Sequence, residues 1–226
     1  MTTTERRRGL LAALLVGVLA LAGCGSSDGS GPGSTRHGGE PDDPPGEVAA
    51  PAADFDATVD VGDDAVTVHY ALTNRSGGDL LVVDRLPKAA GAGVRYEPGR
   101  AYVVGQGEDE AQISQRVFAT PHPSRVDFAQ APRVGATLLA DGDELTGTVE
   151  VPLPLERASP YGDDLGYGEI RLPDPVREAI FCLGVLPPPY DVAIGKPAED
   201  GAITIAHGGA SNAGQHLFCS DPAELE

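Results

Sequence analysis

Three histidines, a set of acidic turns and one serine in a glycine-rich run carry most of the reactive side chains of this 226-residue sequence. His69, His207 and His216 lie far apart in the chain, so they form a metal site only if folding gathers them. His69 sits on the polar side of an alternating run and is expected to face solvent. "AHGGASNAG", Ala206 to Gly214, places Ser211 near His207. A nucleophile elbow needs Gly-x-Ser-x-Gly between a strand and a helix. Here the serine stands in Gly-Ala-Ser-Asn-Ala-Gly, and the stretch reads as a glycine-rich hairpin loop. The turns "DVGDD", "GEDE", "ADGDE" and "YGDDLG" are rich in carboxylates. None has the Asp-x-Asp-x-Asp-Gly spacing of a calcium loop, and turn geometry alone explains their Asp and Gly. These residues therefore lead to no expected catalytic residue, metal or cofactor.

The thiols carry more information. Cys24 ends "MTTTERRRGLLAALLVGVLALAGC". Arg6, Arg7 and Arg8 form a basic start, and Leu10 to Ala22 is an apolar run of 13 residues. As a helix that run spans roughly 20 Å, short of a bilayer core of about 30 Å. It therefore reads as a signal peptide over residues 1–23. Its end, Leu21-Ala22-Gly23-Cys24, resembles the lipobox of bacterial lipoproteins. The resemblance implies cleavage before Cys24 and a diacylglyceryl group on its sulfur. The mature chain is then held on the outer face of the cell membrane by acyl chains, two or more being needed for stable anchoring. It also implies an oxidising compartment in which two thiols remain, Cys182 and Cys219, and a Cys182–Cys219 disulfide is expected. A zinc or copper site would need further ligands at close spacing, and Met1 is the only methionine.

Elements must hold these groups in place. Cys24 and the stretch Gly25–Ala53 form a flexible tether, more than half Gly, Pro or Ser. Such a composition cannot offset the entropy of ordering a backbone. Its 29 residues reach on the order of 30 Å as a coil. His37 within it reads as a solvated linker residue. The remaining 54–226 is one domain in length. The charge of -18 is scattered, with 34 acidic against 16 basic residues. Such a surface repels phosphate backbones, which excludes nucleic acid as a partner.

Residues 55–61 alternate apolar and polar, as do 66–73 beyond the turn Gly62-Asp63-Asp64. "LLVVDRLP", "GVRYEP", "RAYVVG", "QISQRVFA", "ELTGTVEVPLPL", "AIFCLGVL" and "AITIAH" continue as short strands bounded by turn residues. "DPVREAI" has room for one helical turn. Many short strands with Gly/Pro turns predict an all-β sandwich or barrel. "VTVHYALTNRSGGDLLVVDRLP" is similar to bacterial immunoglobulin-like domains in which Tyr-x-Leu-Thr-Asn-x-Ser precedes a hairpin. That implies an antiparallel immunoglobulin-like β-sandwich, and fold alone does not imply activity. Pro152 and Pro154 donate no ladder hydrogen bond, so their strand is expected at an edge. "PPPY", Pro187 to Tyr190, reads as a stiff connection with Tyr190 packing at its end.

The sequence thus points to a lipid-anchored extracytoplasmic lipoprotein carrying a non-enzymatic binding or accessory module. Its partners would be the bilayer, through the Cys24 acyl chains, and an envelope protein or glycan met by loops or an edge strand. The alternative is a hydrolase or metal-dependent enzyme, which requires His69 or His207 beside a carboxylate in a cleft.

Overall fold

The computed structural model describes residues 36–37, 48–91, 93–121, 130–164, 168–190, 194–195, 198 and 202–225. The leader, Leu21 to Cys24 and most of the tether lie outside the described residues. The elements in chain order are β1 (Arg36–His37), β2 (Ala53–Val61), β3 (Ala65–Asn74), β4 (Leu80–Ala90), β5 (Gly93–Glu97), β6 (Tyr102–Gln106) and β7 (Glu110–Gln115). They continue as β8 (Arg133–Leu139), β9 (Glu144–Pro152), β10 (Ile170–Arg171), β11 (Glu178–Leu186), β12 (Ile203–Ala206), α1 (Gly209–Ala213), β13 (His216–Cys219) and β14 (Ala223–Glu224). The chain is all-β and sandwich-like.

One sheet runs β2-β3-β9, each pair antiparallel. Its inward residues Val66, Val68, Tyr70 and Leu72 are buried, as are Val149 and Val151. β9 is an edge of this sheet, where Pro152 and Pro154 place it. The facing sheet is larger and centres on β4 and β11, whose apolar runs "LLVV" and "AIFCLGVL" are buried on both faces, as continuous runs require. Leu80, Val82, Phe181 and Leu183 face the small sheet. Leu81, Val83 and Leu186 face a second apolar cluster with Phe118, Tyr161, Ile170 and Ile205.

The large sheet forks. Cys182 pairs with Ser114 of β7 on one edge and Cys219 of β13 on the other. Val185 pairs with Val82 of β4 and again with His216 of β13. β4 and β7 therefore share one edge of β11, β7 along its first half and β4 at its end. β7 and β11 run parallel, departing from the expected antiparallel plan. A long connection through β8 and β9 allows it.

Gln115, fully buried, sits where β7 gives way to β4. Its Nε2 donates to the carbonyls of Asp84 at 3.0 Å and Arg100 at 2.9 Å. Its Oε1 accepts from the Tyr70 hydroxyl at 2.9 Å. One carboxamide thus joins both arms of the fork to the opposite sheet. Tyr70 reaches it by lying over Gly147 of β9 and stacking on Phe181, with ring centroids 5.2 Å apart. Beside it, the register of β4 against β8 shifts between Val83 and Arg85, which makes Asp84 the extra residue of a bulge.

Three expectations change. β8 is a strand that the sequence reading did not name: Val134, Ala136 and Leu138 alternate with Arg133, Gly135 and Thr137, but the glycine and the small alanine weaken the pattern. "AHGGASNAG" is not a hairpin loop: β12 pairs with β8 and β13 with β11, and α1 turns between them. Arg36 and His37, within the expected tether, pair in parallel with Ile170 and Arg171. Strand pairing uses main-chain groups, which composition does not register. Ordered contacts also begin ahead of residue 54: the Arg75 N–H donates to the Ala52 carbonyl.

A Cβ at position 147 would lie 2.2 Å from Tyr70 Cζ. Gly147→Ala is therefore expected to cost about 1–3 kcal/mol by displacing the ring. The outward-facing Thr146→Ala should stay within about 0.5 kcal/mol. Urea unfolding of the two variants checks this.

Candidate functional site

Cys182 and Cys219 form a disulfide directly across the β11–β13 ladder, with Cα atoms 4.2 Å apart. Cys182 is buried among the strands while Cys219 lies at the surface. Cys24 and the Leu21–Ala22–Gly23 motif before it fall outside the described residues.

The three histidines are placed in three different environments. His69 is exposed on the outer face of the small sheet, its Nδ1 3.1 Å from Thr148 Oγ1. His216 directs Nδ1 to the Val48 carbonyl at 3.2 Å and packs edge-on against Phe218. His207 is buried in an aromatic nest of Tyr102, Phe118 and Tyr161. Its Nδ1 accepts from the Phe118 N–H at 3.1 Å, so the ring proton sits on Nε2, 3.0 Å from the Tyr102 hydroxyl. Burial, reinforced by the nearby Arg116 guanidinium, pushes the His207 pKa down to about 3. The ring is neutral and both nitrogens are engaged, with no carboxylate among their partners. Ser211 lies within α1 on its buried side and is 3% exposed. Among the described residues, no three His, Cys, Asp or Glu side chains are grouped to hold a metal ion. The acidic turns act within the fold: Asp141, for example, accepts the Gly77 N–H at 2.8 Å.

Tyr190 packs as its position suggested, donating its hydroxyl to the Asp79 carbonyl at 2.8 Å. Asp84 was not singled out in the sequence. Its side chain is buried at the bulge, where Oδ2 accepts from Thr137 at 2.8 Å and faces Arg85 at 3.4 Å. Burial is the dominant effect and raises its pKa, against the Thr137 hydrogen bond and the Arg85 charge. The same burial, with the Asp84 charge added, raises the Tyr70 pKa and keeps that hydroxyl a donor.

A half-open groove of roughly 340 Å³ opens between β6 and β9, the neighbouring edges of the two sheets. Val103, Val151 and Leu153 give it an apolar lining, and Arg100, Glu150 and Glu156 add charge. The chain crosses beside it where Ala158 bridges to Val103. Its lining contains no Ser, Thr, Cys, His or Tyr. Sequence reading missed the groove because its walls come from segments up to 58 residues apart, between Arg100 and Ala158.

No family model, curated protein or solved structure matches this chain.

Two outcomes follow for stability. In the chain-entropy picture, closing a loop between residues 37 apart stabilises by about 4 kcal/mol. A Cys182→Ala/Cys219→Ala variant should lose an amount of that order in urea unfolding. The depressed pKa of His207 gives a stability contribution that is complete above its unfolded value of about 6.5. It is lost as the pH falls toward 3, because the unfolded chain takes up the proton first. Comparing urea midpoints of wild type and His207→Gln between pH 7 and pH 4 should show the slope shrinking in the variant.

Proposed function

We propose that the protein is a membrane-anchored extracytoplasmic lipoprotein whose β domain is a non-enzymatic binding or accessory module of the cell envelope. The Cys182–Cys219 disulfide is the observation that carries this reading. Structural disulfides persist in oxidising compartments outside the cytosol. The bridge also takes up two of the three cysteines and leaves Cys24, at the end of the lipobox-like Leu21-Ala22-Gly23-Cys24, as the remaining thiol. A signal peptide followed by a lipid-modified cysteine and a Gly/Pro/Ser-rich tether would present the domain to partners beyond the membrane surface.

The binding-module half of the reading is supported by the groove between β6 and β9 and by the environments of the reactive side chains. A hydrolase built on His207 would need a base open to substrate. His207 instead donates and accepts within the core. His69 has a threonine as its partner, not a carboxylate. The partner is read as an envelope protein or glycan, since the net charge of -18 disfavours nucleic acid.

Intact and peptide mass spectrometry of the protein from its native membrane tests the anchor. A mature chain beginning at Cys24, carrying diacylglyceryl mass and a closed Cys182–Cys219 bridge, is expected. Cys24→Ser should leave the leader uncleaved and the sulfur-linked lipid absent. A native chain that retains residues 1–23, or whose Cys24 is unmodified, would overturn the lipoprotein reading.

A further inference from the structure

The sandwich has several strand edges, and those of β6, β12 and β9 are met by other segments. Ala158 bridges to Val103 on β6, and Ile194 bridges to Ile205 on β12. The β9 edge meets the Gly99 carbonyl at Glu150 and ends in Pro152 and Pro154, which have no N–H. β2 is different. At nine residues it equals β9 in length, pairs on one side only among the described residues, and has no proline along it.

Register shows which groups it leaves open. The Gly62 N–H donates to the Ala65 carbonyl, and the Arg75 N–H donates to the Ala52 carbonyl. With Thr58 opposite His69 and Asp60 opposite Thr67, the even-numbered residues of β2 direct their main chain to β3. Phe55, Ala57 and Val59 therefore direct their N–H and C=O groups to the open edge. Their side chains point into the sandwich yet stay partly exposed, and Val61 is 37% exposed. Their partners on β3, from Val66 to Leu72, are buried. Phe218 of β13 packs on Phe55, with ring centroids 5.6 Å apart, and Ala57 and Val59 stay half-buried along this edge. The outward row is anionic: Asp54 pairs with Arg75, while Asp56 and Asp60 have no ion-pair partner among the described residues.

We infer that β2 is a docking edge for an extended segment of a partner protein in which apolar and basic residues alternate. The added strand would pair with the main chain of Phe55, Ala57 and Val59 and cover their half-exposed side chains. Its Lys or Arg residues would lie beside Asp56 and Asp60 on the outer face, where opposite charges attract across neighbouring strands. A second copy of this chain fits poorly, because two β2 strands side by side would bring aspartates together. The inference rests on the binding-module reading and names the partner's chemistry.

The test uses the full-length protein in detergent micelles and two nine-residue peptides, one alternating valine with lysine and one alternating valine with glutamate. Titration calorimetry should show the lysine peptide binding about tenfold tighter or better, and NMR spectra of the same titration should show amide shifts centred on β2. Ala57→Pro removes one outward N–H and no bond to β3, so it should abolish binding while the disulfide and circular dichroism are unchanged. Asp56→Lys/Asp60→Lys, at exposed positions, should invert the preference toward the glutamate peptide. Equal affinity for both peptides, or a preference unmoved by the charge reversal, would overturn the inference. So would self-association through β2 that Ala57→Pro blocks. A native partner that cross-links to the groove beside Arg100 and Glu156, and not to β2, would overturn the edge assignment alone. That result would leave the binding-module reading in place.

Discussion

A single buried carboxamide, that of Gln115, joins three parts of this molecule at one point in the core. Its three hydrogen bonds reach Tyr70 in one sheet, Asp84 in β4 and Arg100 ahead of β6. A parallel strand and an antiparallel strand cannot both occupy the same stretch of β11, so the large sheet must split where one replaces the other. Splitting strands leaves main-chain carbonyls without ladder partners, and burying them unpaired costs on the order of 1–3 kcal/mol each. The Gln115 side chain supplies the missing donors. Everything that lets Tyr70 reach it follows from this constraint: the absence of a side chain at Gly147, the stacking on Phe181, and the bulge that turns Asp84 inward.

A second glutamine solves a similar problem two residues beyond Gln115, just past the end of β7. Gln215 accepts the Val117 N–H and donates to the Val117 carbonyl, so its amide stands in for a neighbouring strand. The space it uses is opened by Gly184, where a Cβ would lie 2.6 Å from its Oε1. His207 does the same for Phe118 with a ring nitrogen. These residues are polar, buried and structural. Their hydrogen-bond capacity is directed into the fold, which explains why the reactive side chains of the core offer little chemistry to solvent. The groove between β6 and β9 and the acidic outer row of β2 lie at the surface, outside these internal networks.

Much of the strand content was legible because period-two alternation records which face of a strand is buried. "VTVHYALT" and "TGTVEV" show it directly, and the prolines after the latter marked an edge. The buried polar residues also left a trace in parity. Gln115 continues the inward series Ala111, Ile113, and His207 continues Ile203, Ile205. Both could have been placed in the core on that ground. The fork and the parallel pairing of β7 with β11 left no such trace, because pairing partners are set by contacts between residues far apart in sequence.

The sequence by itself determined what depends on residue type and near neighbours: all-β character, turn positions, the likeness of Leu21-Ala22-Gly23-Cys24 to a lipobox, and the candidacy of Cys182 and Cys219 as a pair. Tertiary structure alone decided that those two cysteines face each other across one ladder, that His207 is an internal hydrogen-bonding group, and that β2 pairs on one side only among the described residues. The physical reason is that alternation and composition report burial and local backbone preference, whereas hydrogen-bond partners and edge exposure depend on which distant strands come to lie side by side.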